Sequence, residues 1–97
     1  MSGIESRAEI IRSSLERELE AEHVEVVDDS ARHVGHLGAG GGAGHFRVLV
    51  VSERFRGLSR VAAQRLVYEA LAPLMAADIH ALEMRTLTPE QWRQPGG

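Results

Sequence analysis

Ile79-His80-Ala81-Leu82-Glu83-Met84-Arg85-Thr86-Leu87, followed directly by Thr88-Pro89-Glu90-Gln91-Trp92, reads as a strand running into a capped helix. Thr88 is the N-cap, Pro89 suits the first helical position, and Gln91 stands where a capping box closes. A short terminal helix carrying Trp92 follows, and residues 94–97 read as a frayed tail. Upstream, residues 59–76 predict a helix that is apolar on most of its surface. Pro73 removes one backbone hydrogen bond there and should kink or end it. Phe55-Arg56-Gly57 turns the chain before that helix. Residues 45–52, His-Phe-Arg-Val-Leu-Val-Val-Ser, form the strongest strand in the sequence, apolar enough to expect burial on both faces.

Toward the N-terminus, Ile4, Ala8, Ile11, Leu15 and Leu19 recur at three- and four-residue steps, so residues 4–20 predict an amphipathic helix. Ser2 and Glu5 have capping-box spacing at its start. Residues 23–29 switch to a two-residue alternation with Val24 and Val26 on one face, the pattern of a strand. Between residues 30 and 44 lie six of the ten glycines and no periodic signal, so this stretch reads as a long flexible loop. The order is αββαβα. A crossover helix makes the second and third strands parallel, while the first two pair antiparallel across the glycine loop. The expected fold is α+β, a three-stranded mixed sheet with helices on one face, in a single domain spanning residues 1–97.

Hydrophobic residues make up 43% of the 97 and charged residues 26%, which places the chain among globular rather than disordered sequences. There is no cysteine, so this chain supplies no disulfide and no thiolate ligand for zinc or an iron–sulfur cluster. No apolar run is long enough to span a membrane, and the first residues do not resemble a signal peptide. A cytoplasmic protein without membrane association is expected. All eleven basic residues are arginine, within a net charge of −3. Residues 1–31 hold nine acids against three arginines, whereas residues 32–65 hold six arginines against Glu53 alone. A basic centre of this kind marks either a solvated mixture of charges, a nucleic-acid face or a docking surface for an acidic partner.

Gly38-Ala39-Gly40-Gly41-Gly42-Ala43 matches the letters of a dinucleotide fingerprint. That chemistry needs the glycines to open a helix, and here they precede a strand, so a nucleotide site is not expected. No lysine follows to make a phosphate-binding loop. Ser13, Ser14 and Ser59 have no His/Asp partners at a catalytic spacing, and no paired carboxylates appear. A non-enzymatic protein is expected. Five histidines, 23, 33, 36, 45 and 80, remain as candidate ligands, although a lone histidine is more often an ordinary surface or strand residue.

Taken in order, Leu19-Glu20-Ala21-Glu22-His23-Val24-Glu25-Val26, Phe55-Arg56-Gly57, Arg65-Leu66-Val67-Tyr68, Ile79-His80-Ala81-Leu82 and Thr88-Pro89-Glu90-Gln91-Trp92 resemble the BolA family. The resemblance covers nearly the whole chain and implies a sheet arrangement similar to the type II KH fold. It also implies an accessory protein of iron–sulfur cluster trafficking or iron homeostasis, monomeric when isolated. Such a protein docks on a monothiol glutaredoxin and co-ligates a shared [2Fe–2S] cluster, with thiolates from the glutaredoxin and glutathione. By that likeness His80 is the principal imidazole ligand and His33, in the loop after the first strand, the second; His36 is its substitute. Arg56, Arg60 and Arg65 would help to bind the partner. The family also suggests an alternative, a DNA-binding transcriptional regulator with a role in stress response. The G-x-x-G turn by which KH domains clamp a nucleotide backbone is reduced here to Arg56-Gly57-Leu58-Ser59, with one glycine. Gln64 also stands where the family usually has histidine, so any contact made by that imidazole is lost.

Overall fold

The structure is a computed structural model that describes residues 6–29 and 44–94. Its elements are α1 (Arg7–Leu19), β1 (His23–Asp28), β2 (Gly44–Val51), a 3₁₀ turn (Glu53–Phe55), α2 (Arg60–Ala70), α3 (Ala72–Met75), β3 (Ile79–Leu87) and α4 (Pro89–Arg93). The predicted Ser2–Glu5 box lies outside the described residues. The first helix begins at Arg7 rather than Ile4, because Ser6 is extended and its side chain accepts from the Glu9 amide. At its other end Glu20 adopts a left-handed conformation and stops the helix. The long second helix divides at Leu71, two residues before Pro73, into α2 and the single turn of α3.

The sheet has the order β1-β2-β3. β1 runs antiparallel to β2, from His23 opposite Val51 to Asp28 opposite Phe46. β2 runs parallel to β3, from His45 opposite Ala81 to Val51 opposite Leu87. α1, α2 and α3 cover one face. Ile11, Leu15 and Leu19 of α1 join Ala63, Val67 and Leu71 against Val24, Phe46, Val48, Val50 and Ile79. Full burial of each large side chain contributes roughly 1.5–3 kcal/mol, and here it is the spacing of apolar residues that selects the buried face.

β2 is not buried on both faces, contrary to the sequence expectation. It is central by hydrogen bonding, yet Arg47 is exposed and His45 and Leu49 are half-buried on the face without the three helices. At the far end of that face Val51 is fully buried. Its antiparallel neighbour His23 stacks on Trp92 of α4, with ring centroids 4.6 Å apart. α4 thus adds a small cover on the second face. No helix among the described residues is long and apolar enough to cross a membrane.

Candidate functional site

Of the three described histidines, His45 and His80 lie at one end of the sheet and His23 at the other. Gly44 pairs with Ile79 but His45 pairs with Ala81, so His80 is the extra residue of a β-bulge. A bulge interrupts the ladder and re-aims the side chain at its centre. His80 is exposed. The other two described histidines are committed to carboxylates: His23 Nε2 lies 2.8 Å from Glu25 Oε2, and His45 Nε2 lies 3.3 Å from Glu83 Oε2. No hydrogen bond or ion pair engages the ring of His80 among the described residues. It is the described histidine whose ring nitrogens remain available to a ligand.

His33 and His36 lie outside the described residues. Both ends of the segment that carries them are fastened near His80. Asp29 donates its amide to the His45 carbonyl at 2.8 Å and accepts from Arg47 Nε at 2.7 Å. This ion pair raises the Arg47 pKa further above its ordinary value, through the hydrogen bond first and charge attraction second. At the other end, the Gly44 amide donates to the Asp78 carbonyl at 2.9 Å, next to the first residue of β3. Arg7 Nη1 reaches the same carbonyl at 3.2 Å. His33 is four residue steps beyond Asp29, a reach of at most about 14 Å. Among the described residues no three His, Asp or Glu side chains gather into a metal cage, so a metal at His80 would need its other ligands from elsewhere.

Three of the five described arginines of the middle segment are held in ion pairs. Arg47 is paired with Asp29, and Arg54 with Glu20. Arg56 bridges Glu53 and Glu90, at 2.8 Å to each. Those hydrogen bonds drive the Arg56 pKa well above its usual value and hold the Glu53 carboxyl below its own. Arg56 therefore fastens the 3₁₀ turn to α4. Arg60 and Arg65 on α2 are exposed and have no acidic partner among the described residues.

A groove of about 560 Å³ separates the start of α2 from β3, an edge strand of the sheet. Arg60 and Gln64 line one side, and Arg85 through Thr88 with Gln91 line the other. Gly57 lies at its rim with φ 78°, the left-handed region that glycine enters without strain. The sequence reading did not single out Arg85. Its signal was weak, because one arginine in an alternating strand resembles any solvent-facing residue.

The sequence profile of the BolA-like protein family matches residues 15–91, most of the chain. The chain belongs to the BolA-like family. Mouse BolA-like protein 1 is 44% identical over 84 residues, which cover 87% of this chain and 59% of that protein, so the chain spans about three fifths of its relative. A Vibrio cholerae relative described as the DNA-binding transcriptional regulator BolA is 41% identical over 89% of this chain and 78% of its own length. The solved structure of BolA1 from Arabidopsis thaliana superposes with a TM-score of 0.76 at 37% identity, covering 91% of this chain and 97% of that one. These likenesses agree with the α+β architecture, a mixed three-stranded sheet with helices. The matched residues 15–91 span His80, the residues that line the groove, and His33 and His36.

Proposed function

We propose that this BolA-like chain is an accessory protein that docks on a monothiol glutaredoxin and co-ligates a [2Fe–2S] cluster as shared cargo. The observation that carries the reading is the exposed, uncommitted imidazole of His80 at the bulge that opens β3. A ligand must offer a nitrogen lone pair; His80 can offer either ring nitrogen, whereas His23 and His45 each have Nε2 on a carboxylate. Because the chain has no cysteine, the thiolates come from the glutaredoxin and glutathione. His33 is the second imidazole, with His36 as its substitute, on a segment anchored at the same end of the sheet. Imidazole in place of thiolate raises the cluster potential and makes ligation sensitive to protonation.

Mixing the protein with a cluster-loaded glutaredoxin should change the visible absorption and circular dichroism of the cluster. His80→Ala should abolish that change, since the fixed bulge leaves no neighbour able to take its place. His33→Ala should weaken or reshape it. An unchanged wild-type spectrum, or a heterocomplex spectrum that survives His80→Ala, would reject the assignment.

The Vibrio cholerae relative supports a second reading, DNA binding, and Arg60 and Arg85 supply unpaired charge for it. Phosphate-driven association weakens steeply with salt. Titrating duplex DNA at low and moderate ionic strength tests it, and no binding at low salt would end it.

A further inference from the structure

We propose that the groove between the start of α2 and the edge of β3 binds a phosphate group. This goes beyond both readings above, because a phosphate is carried by small solutes as well as by nucleic acid. The argument begins with what the groove offers. Arg60 and Arg85 both line it, and neither is engaged by a carboxylate among the described residues. Most other described arginines are neutralised within the molecule, so two arginines without an acidic partner among the described residues, both lining one groove, form a local concentration of positive charge.

The uncharged groups add donors. Ser59 Oγ accepts from the Ala62 amide at 3.1 Å, and Thr88 Oγ1 accepts from the Gln91 amide at 3.2 Å. Each cap uses the hydroxyl oxygen as acceptor and leaves the hydroxyl proton to donate. Gln91 Oε1 accepts from the Thr88 amide at 2.8 Å, which leaves its NH₂ group unspent. Gln64 has no hydrogen-bond partner among the described residues, and both glutamines line the groove. No carboxylate lines it. Glu53 and Glu90, on the flanking elements, are both held by Arg56.

This inventory selects the ligand. A cation meets only repulsion, and an apolar solute leaves the donors unsatisfied. A carboxylate has two oxygens for two guanidinium groups, two hydroxyls and two amides. A phosphate brings more charge and more acceptor oxygens, and guanidinium pairs with it in a bidentate fork. Gln64 fits the same use, since its amide donates at every pH.

The test is a titration of the ¹⁵N-labelled full chain with pyrophosphate at constant ionic strength, following the side-chain signals of Arg60, Arg85, Gln64 and Gln91. Saturable shifts confined to these groups are expected. Arg60→Gln and Arg85→Gln should each weaken binding about tenfold, the size of one charge-assisted pair. Arg65→Gln, outside the groove, should leave it unchanged. Shifts that do not saturate, that spread over all exposed arginines, or that persist in both groove variants would overturn the site. A parallel titration with a short single-stranded oligonucleotide separates the sources of phosphate. Saturation through the same four residues assigns the groove to nucleic acid. Saturation by pyrophosphate without oligonucleotide binding assigns it to a small phosphorylated solute, and the DNA reading fails while the groove stands. Oligonucleotide binding indifferent to both groove variants, with no pyrophosphate saturation, overturns the groove and leaves the DNA reading alive.

Discussion

Ser52 joins three segments through one oxygen. Its hydroxyl donates to the Leu19 carbonyl at 2.7 Å and accepts from the Arg54 amide at 3.0 Å, and the residue is 1% exposed. Leu19 ends α1, so the bond satisfies one of the carbonyls that a helix terminus leaves unpaired. Ser52→Ala strands a buried acceptor and donor, and should lower the unfolding free energy by about 1–3 kcal/mol. Urea denaturation monitored by far-UV circular dichroism measures it, and a loss below about 0.5 kcal/mol, the low end for a single bond, would show that water replaces the hydroxyl. In the sequence Ser52 looked only like the last residue of a strand, because its partner lies thirty-three residues away. The exposure of His80 was hidden in the same way. Its type and position were legible, but the bulge arises from pairing with β2 and leaves no mark in the order of residues.

Elements that depend on local chemistry were read well. β3 spans Ile79–Leu87 as expected, and α4 starts where Thr88-Pro89 placed it, with both bonds of the capping box formed. Pro73 divides the long helix as its missing amide requires. Elements whose character depends on what covers them were read less well. The apolar run of β2 suggested two buried faces, and one face is open except where α4 protects Val51. Five residues are too few for an isolated helix, so α4 rests on its cap, the Trp92–His23 stack and two ion pairs, Arg56–Glu90 and Arg93–Glu22. Removing the cap should loosen the whole element. Thr88→Ala is expected to lower stability by about 1 kcal/mol and to make Trp92, the single tryptophan, more accessible to a collisional quencher. Fluorescence quenching equal to wild type would mean that the stack and ion pairs hold α4 without its cap.

At the scale of the molecule, the core and the candidate cluster ligand are separate. Ile11, Leu15, Phe46, Val67 and Leu71 are closed off by this chain alone, whereas His80 is exposed at the end of the sheet. A structural metal of the zinc-finger kind contributes folding energy because the fold cannot close without it. This fold closes without its proposed cargo, so the cluster would be bound by the heterocomplex and released without unfolding the carrier. Binding stabilises the native state only by mass action. Stripping iron from a reconstituted heterocomplex with a chelator should therefore bleach the visible spectrum and weaken the association. This protein, recovered from that treatment, should keep its far-UV circular dichroism and melt at the temperature of protein never exposed to iron. For a chain of this size about 1 kcal/mol moves the midpoint by 4–8 °C. A fall of that size after iron removal, without chemical modification of the chain, would place the cluster among the determinants of the fold and contradict a role as cargo.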